Sequence, residues 1–353
     1  MLRRLSCAIF IVAVSAVLQA AAERPTFTVG TAMAAQGHKA TGYLEVPAGV
    51  DPALRIPVVV FHGPWPGPVL AIVSGEHGTE YASILAVERL AERIDPTELS
   101  GTLILLPLVN IPSFEQKVPH VNPVDGKSMN RFYPGRPDGT QSERTAYTIT
   151  KNVVEQCDHL IDLHGGDLDE SLRPYSYWSK TGNAVQDAVS RDMALAFGLD
   201  HIIVVTDRPK DPASSRYLDN TASTRGKASI AAEAGYAGRT DSDDVEALVR
   251  GSFSVMRQLK MLPGSPSRVE HPVWIENVRQ VQSEQPGIFY PLVGRGQFVE
   301  QGMKIGYVTD FLGKTTFEAR SPVAGMVLYV CAVPSMKKGD TIANIGVVAR
   351  TAP

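Results

Sequence analysis

The pattern of apolar and polar positions changes period abruptly at one place. Residues 69–74, Val-Leu-Ala-Ile-Val-Ser, form a mostly apolar run, and residues 81–94 repeat apolar side chains at helical spacing, with Gly75 and Gly78 between them. This predicts a buried strand that turns sharply into a helix, as in a sheet covered on both faces. Further apolar runs at 102–109, 160–164, 201–205 and 228–233 predict more buried strands, and residues 142–157, 183–198 and 242–261 read as helices. Ser142 is the expected N-cap of the first of these, with Glu143 in its first turn. Short strands at 27–30, 42–46 and 56–61 precede a proline-rich turn at 63–68, which places antiparallel strands at one edge of the sheet. From 273 onward short strands alternate with glycine turns, the signature of a small β-sandwich or barrel. The expected architecture is therefore α/β: a mixed sheet flanked by helices over residues 23–270, followed by a small all-β unit over 271–353.

The amino terminus adds a destination. Arg3 and Arg4, an apolar stretch over residues 8–18 and Ala20-Ala21-Ala22 make residues 1–22 a secretory signal peptide, with an apolar run too short to span a bilayer comfortably. Ordinary export, a periplasmic or secreted location and no membrane anchor after cleavage are the expectations. Of three cysteines, Cys7 lies in the signal, while Cys157 and Cys331 are far apart and read as small buried hydrophobes. The net charge is −3 with no basic block, so nucleic-acid binding has no support. Nothing in the pattern fixes the oligomeric state.

Candidate chemistry gathers at the ends of the predicted strands, where ligands of open α/β sheets collect. His77 and Glu80 sit at the strand-to-helix corner, three residues apart, a spacing that lets an imidazole and a carboxylate converge on one ion such as Zn²⁺. His164 ends the strand 160–164 before two glycines and supplies a third ligand. Asp162 shares its face by the period of two and can orient a metal-bound imidazole, whereas His159 is out of phase and faces away. Two His and one Glu leave a fourth zinc position for water, the catalytic kind of site suited to hydrolysis of an amide or ester. Glu233 is the one acid of an apolar strand and stands at its end before a glycine, so it is the candidate general base. A long loop over 114–144 carries Asn130 and Arg131, whose amide and guanidinium suit a substrate carboxylate; Arg131 paired with Asp125 is the bland alternative. His62 reads as structural. Among Arg208, Arg216 and Arg225, in the polar stretch 206–227, one could line the pocket, although a solvated loop is the commoner account of any single one.

Together these stretches resemble a known family. The strand with Gly75-Glu-His77-Gly-Thr-Glu80, the Asp125-Gly-x-x-x-Asn130-Arg131-x-x-Pro-Gly135 run, Asp162-Leu-His164-Gly-Gly and Glu233-Ala-Gly look like the succinylglutamate desuccinylase/aspartoacylase family, relatives of zinc carboxypeptidases. The resemblance spans roughly residues 56–238 and continues more loosely to the end of the chain. It implies a zinc-carboxypeptidase-like sheet, one zinc held by His77, Glu80 and His164, and Glu233 as the acid that activates water and protonates the leaving amine. It further implies Asn130 and Arg131 as the pair that holds a carboxylate of a small substrate. One departure stands out: relatives carry an Arg shortly before the Asn-Arg pair that polarises the scissile carbonyl, and none lies between Asn110 and Asn130, which leaves Lys117, His120 or another loop as substitutes. The tail resembles the biotinyl/lipoyl-like barrel of such enzymes. Lys314 lies in a turn like that of a carrier lysine but lacks the Ala-Met-Lys-Met surroundings, so a lid or interface is the expected role. The activity implied is deacylation of an N-acyl amino acid or similar small amide. A metallocarboxypeptidase acting on peptides or cell-wall stems and a non-catalytic binding protein are the alternatives.

Overall fold

A computed structural model describes residues 24–353; the expected signal peptide lies outside the described residues. In chain order the elements that frame the site are β1 (His38–Val46), β2 (Leu54–His62), β3 (Trp65–Ser74), α1 (Tyr81–Arg93), β4 (Ser100–Leu106), α2 (Gln141–Ile149) and β5 (His159–His164). They continue with β6 (Tyr175–Ser179), α3 (Ala184–Phe197), β7 (His201–Val205), β8 (Ala228–Glu233), α4 (Ser242–Gln258), β9 (Val273–Gln282), β10 (Gly325–Cys331) and β11 (Thr341–Val348).

Among the described residues one large mixed sheet runs β10-β11-β9-β7-β6-β8-β5-β3-β4-β2-β1. Strands β8, β5, β3 and β4 are parallel neighbours, and β1 and β2 pair antiparallel at the edge, as the sequence pattern indicates. The parallel centre is apolar on both faces because both are covered. Leu70 and Ile72 of β3 join a core with Val87 and Leu90 of α1, Met193 of α3 and Leu248 of α4. Ala71 and Val73, one residue out of phase, join a second core with Ile104, Ile149, Leu160 and Leu218.

The carboxy-terminal part adds a four-stranded antiparallel sheet and its own core around Phe289, Ile305, Val308, Val327 and Ile342. It is continuous with the main sheet: β9 first pairs parallel with β7, from His201↔Val273 to Ile203↔Ile275, and then antiparallel with β11. A short strand after His164, Glu170–Leu172, pairs with β10 and places Leu172 in the carboxy-terminal core. Among the described residues no helix is long and apolar enough to cross a membrane.

Three local expectations are corrected. The N-cap of α2 is Thr140, not Ser142: Thr140 and Glu143 make a reciprocal capping box, while the Ser142 hydroxyl donates to Asp125. That helix does not continue to 157 in regular form, because it widens into a π turn over Thr150–Val154. The proline-rich segment 63–68 is not wholly a turn; β3 already starts at Trp65, where prolines are tolerated at the exposed beginning of the strand.

Candidate functional site

The corner between β3 and α1 is tightly made. Gly75 adopts φ of +71°, and a Cβ there would come within 3.0 Å of the Leu108 backbone, so the sharp exit from the strand needs glycine. The Asn110 amide donates to the Glu76 carbonyl at 3.0 Å and the Gly78 N–H donates to Ser113 Oγ at 2.9 Å, which fixes the turn against the short helix Ile111–Gln116. His77 and Glu80 are thereby aimed into one space. Glu80 Oε1 lies 2.6 Å from His77 Nδ1, and Glu80 Oε2 lies 3.0 Å from His164 Nδ1. The Gly165 N–H donates to the same Oε2 at 3.0 Å.

His77, Glu80 and His164 thus present one donor atom each, all within 4.8 Å of one another. Two imidazole nitrogens and a carboxylate oxygen are the donor chemistry Zn²⁺ takes, and His77 on the solvent side leaves the cluster approachable. The residues fit the metal. Burial works to raise the Glu80 carboxyl, yet the charges of His77 and His164 outweigh it and hold the group far below the ordinary carboxylate range. A second trio, Glu76, Asp162 and His164, also has metal-ligand spacing but is fully buried. It uses the other face of the same imidazole: His164 Nε2 is 3.1 Å from Asp162 Oδ1 and 3.7 Å from Glu76 Oε2. Asp162 therefore orients His164 and frees Nδ1 for a metal, which decides which imidazole it serves. Burial, followed by the nearby Asp162 carboxylate, pushes the Glu76 carboxyl well above the ordinary carboxylate range.

Glu233 ends β8 directly beside His164 in the parallel register and opposite Tyr175 of β6 in the antiparallel one. Cross-strand partners share a face, so Glu233 and His164 point the same way. The close approach of the two strand ends rests on glycine: a Cβ on Gly166 would sit 2.6 Å from the Gly235 backbone, and one on Gly235 would sit 2.2 Å from Gly166 N. Burial pushes the Glu233 carboxyl well above its usual range; His164 opposes this, and the carboxylates of Glu80, Glu170 and Asp162 add to it.

The loop before Asn130 places its two basic candidates differently. Lys117 ends the short helix in a left-handed conformation and lines an apolar groove with Val87, Phe114 and Thr240. The His120 ring packs edge-on against His77, with centroids 6.4 Å apart, and its Nε2 lies 2.8 Å from Asp169 Oδ1. Burial works to lower the His120 pKa, but Asp169, Asp167 and Glu170 push it up to about 9. Asp167, wholly buried, ties this loop to the metal corner: it accepts from Thr79 Oγ1, the His120 N–H and the Leu168 N–H.

Asn130 is buried with its Nδ2 3.2 Å from His164 Nε2, and its Oδ1 accepts from the Leu218 N–H at 3.2 Å. Arg131 is exposed; it donates to the Asn130 carbonyl and its guanidinium lies 4.7 Å from the Tyr217 ring centre. The Asp125 alternative is not realised, since that carboxylate accepts from the Ser142 backbone and hydroxyl. His159 packs near Asp158 and Lys227 at the start of β5, away from the site. His62 is buried with Nδ1 2.8 Å from Thr102 Oγ1, a structural role. Sequence reasoning missed Glu76, Asp167 and Glu170. Of these only Glu76 had a signal, as a second acid inside the corner motif. The Glu170 carboxyl is raised to about 8, by burial first and by Glu80 next.

Known proteins resemble this chain over most of its length. The profile of the family described as succinylglutamate desuccinylase/aspartoacylase catalytic domain matches residues 66–259. A Halomonas elongata protein named N-alpha-acetyl-L-2,4-diaminobutyric acid deacetylase is 28% identical over 321 residues, which is 88% of this chain and 92% of that protein. The crystal structure of a Rhodobacter sphaeroides succinylglutamate desuccinylase/aspartoacylase superposes with a TM-score of 0.78 at 24% identity, covering 89% of this chain and 96% of the other. The product-bound ectoine utilization protein EutE of Ruegeria pomeroyi gives 0.79 at 23% identity, with 92% and 96% covered. These two structures share the fold. With more than half of its length matched by the family profile, and the matched segment holding the corner, the strand-end His and the strand-end Glu, the chain belongs to the succinylglutamate desuccinylase/aspartoacylase family.

Proposed function

We propose that this protein is an exported, zinc-dependent hydrolase that removes the acyl group from an N-acyl amino acid or a similar small amide bearing a carboxylate. The observation that carries this reading is the placement of Glu233, a half-buried acid, beside His164 on the same sheet face as the His77–Glu80–His164 cluster. The family and the deacetylase name of the Halomonas relative support the amide as the bond cleaved.

Zinc, when bound, supplies Lewis-acid polarisation and makes water acidic enough to attack at neutral pH. The rest falls to the chain. Glu233 takes the proton of the attacking water and returns it to the leaving nitrogen. Arg131, with Asn130 beside it, holds the substrate carboxylate and so sets the scissile bond over Glu233. His120, kept cationic by Asp167 and Asp169, faces charge developing on the carbonyl oxygen, a part Lys117 cannot take from the apolar groove. His120→Gln should therefore lower kcat by about 10²- to 10³-fold with zinc content retained. Equal kcat in the variant would remove His120 from the mechanism.

Residues 23–270 would form the catalytic unit and 271–353 a smaller β unit whose strand β10 braces the segment after His164. Product analysis tests the reading. Incubation with N-acetyl amino acids should release acetate and the free amino acid. Release of a carboxy-terminal residue from peptides, with no acetate from any N-acetyl amino acid, would favour the metallocarboxypeptidase instead.

A further inference from the structure

The carboxy-terminal part of the chain reaches the strand ends that carry His164 and Glu233 through one side chain. Arg295 stands in the turn Gly294-Arg295-Gly296, which follows the strand Gly287–Pro291. Gly296 takes φ of +78°, its N–H donates to the Val327 carbonyl at 2.7 Å, and Val293 before the turn is buried in the carboxy-terminal core. The turn is thereby fixed to that core, and the guanidinium reaches out of it. Arg295 Nη1 donates to the Leu172 carbonyl at 2.7 Å and to the Gly235 carbonyl at 2.9 Å. The guanidinium also lies 5.4 Å from the Tyr236 ring centre, and its Nη1 is 3.7 Å from Asp244 Oδ2 in the first turn of α4.

The two carbonyls belong to the segments through which the chain leaves the site. Gly235 comes two residues after Glu233, and Leu172 comes eight residues after His164. Beyond the strand ends these exits run against each other through backbone bonds. The Ala234 N–H donates to the His164 carbonyl at 3.4 Å and the Leu172 N–H to the Gly235 carbonyl at 3.3 Å. The Ala237 N–H donates to the Glu170 carbonyl at 2.7 Å and the Gly238 N–H to the Gly166 carbonyl at 3.0 Å. Where Gly166 and Gly235 meet there is no room for a side chain, so packing cannot hold the register at that point. Glycine-rich segments are also costly to order. Arg295 supplies what the exits lack. Both of its bonds leave the same nitrogen, so two carbonyls from different segments are gathered around one cationic donor. Glu233 is the last residue of β8 in the ladder with His164, and a strand end is only as fixed as the chain that follows it.

We propose that Arg295 is a positioning residue for Glu233: by holding the exits of β5 and β8 together it sets that acid beside His164, and residues 271–353 contribute to catalysis through it. This rests on the hydrolase reading above and gives the carboxy-terminal part a role in the chemical step.

Arg295→Met in the full-length, zinc-loaded protein tests this. With an N-acetyl amino acid as substrate, kcat should fall about 10- to 100-fold, the effect of misplacing a reacting group by about 1 Å, while KM stays within about twofold. Zinc should remain at about one per chain, because no ligand is touched. Arg295→Lys, which keeps the charge without the fork, should restore part of kcat. Arg173→Met is the control. Its side chain pairs with Asp200 and bonds to neither exit, so kcat should stay within about threefold of wild type. Hydrogen exchange read by mass spectrometry needs no turnover. Across 165–172 and 234–238, protection should fall about 10- to 100-fold in Arg295→Met, the span of a charge-assisted hydrogen bond, with β3 and β4 unchanged. Thermal melting checks that the variants fold. If the Met variant does not, Arg295→Lys carries the test, with a loss of kcat of about 3- to 10-fold at unchanged KM. A wild type that turns over no N-acetyl amino acid would count against the hydrolase reading alone, and exchange would then decide on Arg295. On an active enzyme the proposal is overturned by kcat within about threefold of wild type in Arg295→Met, or by a loss that appears in KM or zinc content instead. An equal fall of kcat in Arg173→Met overturns it as well, and so does unchanged exchange across the two exits.

Discussion

If the proposed function holds, His164→Ala should yield a folded protein that has lost its zinc and, with it, all measurable hydrolysis. Three donors make the site, and His164 is tied to both Glu80 and Asp162, so its removal takes away a ligand, strips Asp162 of its imidazole and leaves Glu80 with His77 and the Gly165 N–H. Of the three ligand positions this substitution should have a larger effect on affinity than loss of His77, which is partly exposed and whose hydrogen-bond contacts among the described residues are with Glu80 and Ser128. Elemental analysis after gel filtration checks the loss. His164→Ala that still binds zinc at full stoichiometry would show that the metal, if present, sits elsewhere.

Glu233→Gln is expected to behave in the opposite way, keeping its zinc while kcat falls about 10²- to 10⁴-fold, the usual contribution of a positioned proton carrier. The amide matches the carboxyl in shape and removes only its capacity to take and return a proton. The pH profile gives a second readout. Glu233 acts as a base only when ionised, and burial raises its folded pKa above the ordinary 4.5. Activity should therefore be lost as pH falls through that raised value, with an acid limb higher than an exposed glutamate would give. Any residual rate in Glu233→Gln should lack this limb. A variant with wild-type kcat and the same acid limb would assign the base to another group, and Glu170, raised to about 8 beside Glu80, is the next carboxyl to test.

What the sequence made legible is what period and end-position encode. The β3 corner, β5 ending on His164 and β8 ending on Glu233 follow from apolar runs closed by one polar residue and a glycine, and the structure brings those three ends together. Their mutual register follows from no local pattern. It depends on the Gly166–Gly235 approach and on pairing between strands more than sixty residues apart in sequence. The same limit applies to the loops. The amide and guanidinium of Asn130 and Arg131 raised the expectation of a carboxylate grip but not that Asn130 would be buried against His164. Asp167 and Glu170 follow the glycine pair with no periodic signal, and they matter through contacts with Thr79, His120 and Glu80 that only the fold creates. The Ser142 N-cap was misplaced for a local reason: Thr140-x-x-Glu143 offers two reciprocal bonds where Ser142 offers one.

The measurement closest to the central claim is the zinc content of the purified protein, taken alongside acetate release from N-acetyl amino acids before and after chelation. The account predicts about one zinc per chain, loss of hydrolysis when it is stripped, and recovery on adding zinc back. Hydrolysis that persists at full rate in protein freed of metal would contradict it, and so would a zinc-loaded protein that cleaves none of these amides.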